Sequence, residues 1–492
     1  MVLLMKGHSF RFELENICRL FLPMEKVVVT DAPPVHPEGV VACTAREEGP
    51  AGAILSCLLT LEDFHREETA VVPAGTPGYE SACERTLATL LYRLFCELFG
   101  YEQSWGIITG VRPVKLLRQL CRDFGEEQAL RYFRETMLVS GPKRALAQQT
   151  LHAEDRLLAL SRPESCSLYV SIPFCPTRCD YCSFVSHTTE RSHHLIPAYV
   201  TLLCEELRAT GQIAKELGLR LETVYFGGGT PTSLEAGQLA RLFETVERSF
   251  DLSTVREYTV EAGRPDTVTA DKLRAIAAAG ANRVSINPQT LHDPVLRAIG
   301  RRHTVEQFYR AYDLARQCGN FLINTDLIAG LPTDTPEGFQ ETLSGILSLS
   351  PENVTVHTLS RKRAAQLTLT RRADVPAPED AVQMVEEATS RLPQAGYHPY
   401  YLYRQSRMVG NQENVGWAKE GTDGLYNVYI MDETHTILGC GAGAVTKLKE
   451  PGGDHLERIF NYKFPYEYNT GLREMLARKE GVRTFYERYP CP

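Results

Sequence analysis

The chain has 492 residues, of which 43% are hydrophobic and 23% charged, and its formal net charge is −8 at pH 7. This length predicts about three domains, and the composition excludes a disordered chain. The negative charge disfavours nucleic acid as a partner. No stretch approaches the roughly 18 apolar residues of a membrane span, and the apolar start meets charge at Lys6, so we expect no signal peptide. These features predict a cytoplasmic protein.

The first 105 residues alternate strand-like and helix-like segments. Residues 26–30 and 53–60 are rich in valine, leucine and isoleucine and predict strands, and the apolar spacing of residues 81–99 predicts a helix. Mixed elements of this kind indicate a small α+β domain over residues 1–105. The following segment has helical patterns throughout, and we interpret residues 106–163 as a helical connector.

From residue 164 the chain repeats strand, loop and helix. Helices that cross between strands predict parallel pairing, and right-handed crossovers curl such a sheet into a partial or full barrel. We therefore predict an α/β fold with a parallel (β/α) barrel over residues 164–396, whose chemistry lies in loops after the strands. The predicted strands are 168–172, 223–226, 257–261, 283–286, 322–328 and 354–358, and the helices between them are 196–217, 233–249, 270–279, 305–317 and 337–347.

After a helix predicted at 379–392, the chain changes character and becomes rich in aromatic residues. We predict a small C-terminal domain over residues 397–492. Its aromatic cluster could line a flat macrocycle pocket or pack the domain, and we favour packing. The cluster consists of Tyr397, Tyr400, Tyr401, Tyr403 and Trp417.

Three cysteines, Cys175, Cys179 and Cys182, follow the strand predicted at 168–172. Thiolates at this spacing can hold three irons of a cubic cluster and leave the fourth iron open. A zinc site usually needs a fourth ligand at comparable spacing, and the nearest candidate is His187. The other cysteines are scattered among apolar and helical contexts, which disfavours a disulfide framework and indicates a reducing compartment.

A glycine turn, Gly227–Thr230, follows the strand predicted at 223–226 and precedes a helix. Glycines let backbone groups approach a ligand closely, and free amides at a helix start suit a carboxylate. Many turns of this kind are glycine-rich for packing alone. The position of the turn downstream of the three cysteines favours ligand binding over packing alone.

Several motifs in order carry a resemblance to a known family. The chain resembles the radical S-adenosylmethionine (SAM) enzymes, and more narrowly their oxygen-independent coproporphyrinogen III oxidase group. The resemblance covers about residues 169–332 and extends less sharply to residue 447. A long N-terminal domain and the segments 105–113 and 411–417 resemble that group's coproporphyrinogen dehydrogenase branch. The motifs are Tyr169, the cysteines with the preceding Ile172-Pro-Phe, the glycine turn, Gln289, Arg301 and Asn324-Thr-Asp-Leu-Ile-Ala-Gly-Leu-Pro332.

The resemblance implies a role for each matching residue. Cys175, Cys179 and Cys182 would bind a [4Fe-4S] cluster, which Phe174 and Tyr181 would shield. Tyr169 and Arg301 would be catalytic residues. Each acidic or amide member also has a structural alternative, namely a helix cap or arginine pair for Asp326, a salt bridge for Glu261 and a turn for Gln289. The residues expected to bind SAM are Gly227, Gly228, Gly229, Thr230, Glu261, Gln289, Arg301 and Asp326.

The implied reaction is a radical oxidation that turns two propionates of coproporphyrinogen III into vinyl groups. SAM and the cluster would supply the radical chemistry, and the protein would exclude water and set geometry. The partners implied are a tetrapyrrole substrate and a reducing donor such as flavodoxin or ferredoxin. We expect a monomer.

Two positions depart from the family pattern. Phe184 stands where the best-understood oxidases have a further cysteine, and Ser171 where they have histidine. The haem-chaperone branch also lacks that cysteine, so a haem-delivery protein and another radical enzyme stay open beside the oxidase. Arginines would recognise propionates. The candidate arginines are Arg361, Arg363, Arg404 and Arg407, and the candidate haem ligands are His357, His398 and Cys440, although a structural role fits each of them.

Overall fold

The computed structural model divides the chain into two compact units. One unit contains residues 1–147 with 405–407, and the other contains residues 148–404 and those from 408 onward. The domain boundaries expected after 105, 163 and 396 stay predictions. No helix among the described residues is long and apolar enough to cross a membrane. The structure describes residues 1–32, 39–362, 365–369 and 374–491.

The first unit is built on a five-stranded sheet in the order β2-β1-β3-β4-β5. Leu55, Cys57 and Leu59 of β4 are fully buried at alternate positions, because successive side chains of a strand point to opposite faces. Helix α2 buries Leu87 and Leu91, four residues apart on one helical face. The elements are β1 (Val2–Lys6), α1 (Arg11–Phe21), β2 (Val28–Thr30), β3 (Val41–Gly49), β4 (Gly52–Leu61), β5 (Phe64–Pro73) and α2 (Tyr79–Phe99), followed in the chain by α3 (Pro113–Phe124), α4 (Glu126–Glu135) and α5 (Gly141–Leu158).

The second unit contains an eleven-stranded sheet within the described residues. Its six central strands, β6 and β9 to β13, are parallel neighbours, and they include all six strands predicted from the sequence. The strand order is linear, with strands of the C-terminal segment at both edges, so the predicted barrel is partial. The six central strands are β6 (Ser165–Ile172), β9 (Arg220–Gly228), β10 (Glu257–Glu261), β11 (Arg283–Ser285), β12 (Leu322–Ala329) and β13 (Asn353–Thr358). A separate two-stranded sheet is formed by β7 (Phe174–Cys175) and β8 (His187–Thr188).

Helices cross between the parallel strands as predicted. Thr304 caps the helix that follows it, because its hydroxyl accepts from the amide of Gln307 and the Gln307 side chain accepts from the Thr304 amide. Sequence reasoning missed three short helices among those that follow, namely α6, α10 and α13. The helices are α6 (Thr189–Ser192), α7 (Ile196–Glu216), α8 (Ala236–Ser249), α9 (Ala270–Ala278), α10 (Asp293–Ala298), α11 (Val305–Cys318), α12 (Pro336–Leu349), α13 (Gln366–Leu369) and α14 (Pro378–Gln394).

The C-terminal segment contributes strands to both edges of this sheet. β15 pairs antiparallel with β13, and β16 pairs parallel with β6. Tyr400 and Tyr401 are buried with Ala418 and Val428, which supports packing as the role of the aromatic cluster. The elements are β14 (Tyr397–Tyr403), β15 (Asn414–Lys419), α15 (Leu425–Asp432), β16 (Thr436–Cys440), β17 (Val445–Lys449), β18 (Leu456–Phe460) and α16 (Pro465–Arg488).

Candidate active site

The cysteine loop, residues 175–182, lies directly after strand β6. The Thr177 hydroxyl donates to the carbonyl of Gly300 at 3.1 Å, which ties the loop to the segment after α10. Gly300 has a φ of +75°, and a Cβ there would lie 3.1 Å from the carbonyl oxygen of Arg178. Glycine adopts this positive φ without strain and has no Cβ to crowd the Arg178 carbonyl. Gly300 therefore allows the close approach of this segment to the loop.

A buried arginine supports the same loop from strand β10's side of the sheet. The Arg264 guanidinium donates to the backbone and hydroxyl oxygens of Thr177 at 3.1 and 2.9 Å and lies 3.8 Å from the sulfur of Cys179. It also pairs with Asp266 at 3.2 Å. A buried positive charge here offsets the negative charge that thiolate ligands bring to a metal site. Arg264 therefore suits a metal-binding loop, although sequence reasoning missed it.

Arg301 links the loop to the ends of two strands. Its guanidinium donates to the hydroxyl of Tyr181 at 3.3 Å and to the carbonyls of Gly263 and Asn287 at 3.2 and 2.7 Å. Gly263 follows β10 and Asn287 follows β11. These contacts hold the loop beside the strand ends, and the catalytic role expected for Arg301 stays a prediction.

The three cysteines are free and close enough to influence one another's ionisation. Burial raises the pKa of Cys175, and burial with the nearby Cys179 raises the pKa of Cys182 to about 11. Cys175 and Cys182 are therefore thiols at neutral pH, and metal binding has to release their protons. No group of three candidate ligands in the described parts of the chain is arranged around a single metal ion. A cubic cluster needs no such arrangement, because each cysteine binds a different iron.

The glycine turn lies against the cysteine loop. The amide of Gly229 donates to the carbonyl of Ile172 and the amide of Thr230 to the carbonyl of Phe174, both at 2.8 Å. The hydroxyl of Thr230 lies 3.5 Å from the sulfur of Cys175. The idea that these amides are free for a carboxylate is therefore wrong, because strand β6 and its extension already accept their hydrogens.

Close packing explains the other two glycines of the turn. Gly228 has a φ of +105°, and a Cβ there would lie 2.9 Å from the hydroxyl oxygen of Ser171. A Cβ on Gly227 would lie 3.2 Å from the carboxyl group of Glu261. Ser171 donates its hydroxyl to the carbonyl of Ala442 at 2.8 Å. The residue that replaces the family's histidine is thus held by the C-terminal segment.

Glu261 ends strand β10 and is partly buried beside the glycine turn. The hydroxyl of Tyr225 donates to its Oε1 atom at 2.6 Å. Burial raises the pKa of Glu261 to about 7, the hydrogen bond from Tyr225 opposes this rise, and the negative charge of Asp326 adds to it. The structure shows no salt bridge to Glu261 within the described residues, so that alternative is not supported.

Asp326 is the second carboxyl group of the candidate site and lies on strand β12. The side-chain amides of Asn287 and Asn324 donate to its two oxygens at 2.7 and 2.8 Å. Nε2 of His357 lies 3.7 Å from Oδ2 of Asp326. Burial acts to raise the pKa of Asp326, and the interactions with His357 and the amides outweigh it and lower this pKa. Asp326 neither caps a helix nor pairs with an arginine among the described residues.

Gln289 is joined to strand β12 by its backbone. Its amide donates to the carbonyl of Asp326 at 3.0 Å, and its carbonyl accepts from the amide of Ile328 at 3.1 Å. The residue has a φ of +69° and is 5% exposed. Its side-chain oxygen is buried and has no partner in the described structure. Buried acceptors are nearly always satisfied, so this oxygen fits a site that holds a polar ligand.

Three stacked tyrosines form one wall beside Glu261. The ring centroids of Tyr225 and Tyr426 are 4.3 Å apart, and that of Tyr169 lies 6.2 Å from both. Tyr426 belongs to α15 in the C-terminal segment, and its buried hydroxyl has no partner among the described residues. Sequence reasoning missed Tyr426 because its tyrosine-rich surroundings gave no signal that distinguished it.

Basic residues follow strand β13 near the cysteine loop. Nζ of Lys362 lies 5.9 Å from the ring centroid of Phe184, which is 66% exposed and two residues beyond Cys182. The adjacent Arg361 has no hydrogen bond or ion pair in the described structure, and its Nε atom is buried. Lys362 therefore places positive charge beside Phe184, one of the two positions that depart from the family pattern.

The remaining sequence candidates lie elsewhere in the molecule. Arg404 is buried and donates to the carbonyl of Asn411 at 3.0 Å. Arg407 belongs to the first unit, and Arg363 lies outside the described residues. Of the candidate haem ligands, His398 contacts Asp423 at 2.6 Å and the buried Cys440 contacts Thr210 at 3.3 Å, which leaves only His357 at the site.

The comparisons with known proteins agree with this fold. Residues 169–345 match the model of the Radical SAM superfamily. The oxygen-independent coproporphyrinogen-III oxidase-like protein HemZ of Bacillus subtilis is 40% identical over 394 residues, which cover 78% of each chain. The heme chaperone HemW of the same organism is 32% identical over 61% of this chain and 77% of its own length. The solved coproporphyrinogen III oxidase HemN of Escherichia coli has a TM-score of 0.52 and 24% identity, and the alignment covers 77% of this chain and 78% of that one.

The parallel sheet and the cysteine loop define a radical SAM protein. Its cofactors are a [4Fe-4S] cluster and SAM, which members of this superfamily bind. The chain belongs to the oxygen-independent coproporphyrinogen-III oxidase-like group of that superfamily. The residues in the site fit these groups, since three free cysteines lie on one loop and an unsatisfied acceptor, Gln289, lies nearby.

Proposed function

We propose that this protein oxidatively decarboxylates two propionates of coproporphyrinogen III to vinyl groups and thereby forms protoporphyrinogen IX in porphyrin biosynthesis. The observation that carries the proposal is the direct contact between the glycine turn and the cysteine loop, through Gly229, Thr230 and Cys175. In this proposal the cofactor pocket would lie beside the iron-binding loop. The similarity to oxidases and an oxidase-like protein supports the choice of substrate.

The proposed cofactor residues follow from the same geometry. Cys175, Cys179 and Cys182 would hold the cluster, and the bound cluster and SAM together supply radical chemistry. Glu261 would accept hydrogen bonds from the ribose hydroxyls, because a carboxylate has two acceptor oxygens. Gln289 would use its unsatisfied oxygen on a ligand donor. The stacked tyrosines beside Glu261 would exclude water from the pocket.

The charges after strand β13 support an anionic substrate. Arg361 has no partner in the described structure, and Lys362 lies beside the exposed Phe184. Guanidinium groups bind carboxylates in a bidentate manner, and an exposed aromatic side chain can contact a flat macrocycle. We propose that Arg361 and Lys362 bind propionates of the substrate. His357 lies close to Asp326 and would face the same end of the sheet as Arg361 and Lys362.

A haem-delivery function is the second candidate. The heme chaperone HemW of Bacillus subtilis is 32% identical to this chain, and Phe184 replaces the cysteine expected in oxidases. Two of the three candidate haem ligands, His398 and Cys440, already have side-chain partners. This makes the oxidase the better-supported function.

We further propose that the protein works as a cytoplasmic monomer with an external electron donor. Its cysteines form no disulfide among the described residues, as expected in a reducing compartment. The cluster chemistry consumes electrons, and the protein itself offers no other redox group that the sequence identifies. A small carrier protein such as flavodoxin or ferredoxin would supply them.

The test is an anaerobic assay of the reconstituted holoenzyme with SAM, dithionite and coproporphyrinogen III. Mass spectrometry should detect 5′-deoxyadenosine together with divinyl product. Cleavage of SAM without a vinyl product would contradict the proposed substrate. Stoichiometric haem binding without turnover would favour the chaperone instead.

Two single cysteine variants, one inside the loop and one outside it as the control, test cluster binding. Cys179→Ala should abolish iron–sulfur absorbance after reconstitution, because it removes one ligand of the loop. Cys318→Ala should retain full absorbance, since Cys318 is a free cysteine at the end of α11. Full absorbance in Cys179→Ala would overturn the ligand assignment.

A further inference from the structure

A cavity of about 600 Å³ lies on the outer side of the cysteine loop. Residues 176–178 of the loop form one wall, and the end of α10 with the segment 300–304 forms another. The cavity is lined by four arginines and only two carboxylates, Glu190 and Asp293, so it carries an excess of positive charge. The whole chain, in contrast, has a net charge of −8. The excess is therefore a local property of this surface.

The positive charge is available to a partner. Arg178, Arg297 and Arg302 are exposed, and we call these three residues the arginine face. Arg297 and Arg302 make no ion pair and no side-chain hydrogen bond in the parts of the chain that the structure describes. Arg310 on α11, in contrast, is paired with Glu306 of the same helix. Arg297 and Arg302 can therefore attract an acidic partner without first breaking internal salt bridges.

The arginine face is next to the proposed cluster ligands. Thr177 lines the cavity and is two residues from both Cys175 and Cys179, so backbone geometry limits its separation from either to about 7 Å. Arg264 bridges Thr177 and the sulfur of Cys179. Transfer of an electron weakens steeply with distance, so a donor bound here would have a short route to the cluster.

We propose that the arginine face is the docking surface for an acidic one-electron carrier protein that reduces the cluster. The proposal rests on the proposed function, because it assumes a redox-active cluster on the cysteine loop. In the step, the carrier loses one electron and the oxidised cluster gains it, and no proton or leaving group is transferred. Electrostatic complementarity of this kind acts mainly on the association rate.

Reduced flavodoxin is the probe, and the holoenzyme is mixed with it anaerobically while the bleaching of cluster absorbance is followed. The double variant Arg297→Glu with Arg302→Glu should lower the rate of cluster reduction at low salt by about tenfold or more. In the wild-type protein the rate should fall as salt rises, because salt screens exposed charges. The dissociation constant of oxidised flavodoxin, measured by flavin fluorescence with the cluster-free protein, should rise in the double variant.

The matched control reverses two exposed arginines elsewhere, Arg208 on α7 and Arg473 on α16, to glutamate. It changes the net charge equally and should leave the flavodoxin rate within about twofold of wild type. A flavodoxin rate in the Arg297/Arg302 variant equal to that of the control, or a wild-type rate that does not fall with salt, would overturn the proposal.

Dithionite separates docking from catalysis. Because this small reductant needs no docking surface, it should reduce all three proteins at the same rate and support the same vinyl formation. If the double variant is also slow with dithionite, the milder pair Arg297→Gln with Arg302→Gln replaces it, and an unchanged flavodoxin rate in that pair counts against the proposal. Loss of vinyl formation in the wild-type protein with dithionite contradicts the proposed function and leaves the docking rates to be judged separately.

Discussion

Glu261 and Asp326 are two partly buried carboxyl groups on the parallel strands β10 and β12, which β11 separates, and their environments shift their pKa values in opposite directions. Glu261 receives one hydrogen bond, from Tyr225, and its pKa is raised to about 7. Asp326 receives hydrogen bonds from Asn287 and Asn324, and its pKa is lowered. Burial is the largest influence on both groups and favours the neutral form in each case. The interaction with His357 is the largest influence that lowers the pKa of Asp326, and Glu261 has only the hydrogen bond from Tyr225 to oppose its burial.

This difference indicates two roles within one pocket. Asp326 is a fixed anion that orders the amides around it. The pKa of Glu261 lies near neutral pH, and its carboxyl group receives a single hydrogen bond in the described structure. A ligand with hydroxyl groups can therefore add the hydrogen bonds that the charged form of Glu261 lacks. We expect Asp326 to matter most for the stability of the pocket and Glu261 most for binding SAM.

The largest effect is expected from Asp326→Asn. The new amide presents a donor to Asn287 or Asn324, so one buried amide loses its acceptor, and we expect the free energy of unfolding to fall by about 1–3 kcal/mol. Urea unfolding followed by circular dichroism measures this. Asp313→Asn, at an exposed position of α11, is the control and should change little. Equal stabilities of the two variants would show that Asp326 is not a fixed structural anion.

Glu261→Gln should separate binding from stability. Glutamine can still accept from Tyr225, so the free energy of unfolding should not fall, but the charged acceptor for the ribose hydroxyls is lost. We expect the affinity for SAM to fall by about tenfold, the loss typical of one charge-assisted hydrogen bond. Calorimetric titration of the reconstituted protein gives the affinity, with Glu247→Gln on α8 as a control. Unchanged affinity would remove Glu261 from the proposed binding site.

Stability should depend on pH through Glu261. Its pKa rises from an ordinary 4.5 to about 7 on folding, so between these values the folded state holds more protons than the unfolded state and stability falls as pH rises. Glu261→Gln should remove this part of the slope. Asp326, with a lowered pKa, adds stability above its ordinary pKa that is lost only at lower pH. Urea unfolding at a series of pH values tests this, and equal slopes in wild type and variant would contradict the raised pKa of Glu261.

The smallest effect is expected from Tyr225→Phe. This change keeps the stacked ring and removes the only hydrogen bond to Glu261 in the described structure, so the pKa of Glu261 should rise further. The upper end of the pH-dependent slope should then move to higher pH. Tyr426→Phe, which removes a hydroxyl without a partner, should leave it in place. A slope that moves equally in both variants would show that stacking, and not the hydrogen bond, controls Glu261.

The elements of the sheet could be predicted from the sequence because their signals are local. The strand expected at 257–261 is found at those residues, and the helix expected at 305–317 ends one residue later. Apolar periodicity and caps such as Thr304 determine such elements over short distances. The short α10 was missed because six residues carry too little periodic signal.

The candidate site was predictable in its residue types but not in its contacts. The cysteine loop and the Asn324–Pro332 motif drew attention to the ends of β6 and β12. The bonded amides of Gly229 and Thr230 were not foreseen, because their acceptors lie on a separate strand. Tyr426 was missed for the same reason, since it reaches Glu261's surroundings from a helix far along the chain.

By itself, the sequence determined the spacing of the cysteines, the strand and helix order and the radical SAM family, because these depend on residues close together in the chain or on motifs in a fixed order. Only the tertiary structure decided which carboxyl group is surrounded by donors, and which arginines stay unpaired at the surface. The pKa values of Asp326 and Glu261 differ because β13 brings His357 to one and β9 brings Tyr225 to the other. Hydrogen bonding and desolvation act through space, so their outcome depends on the fold.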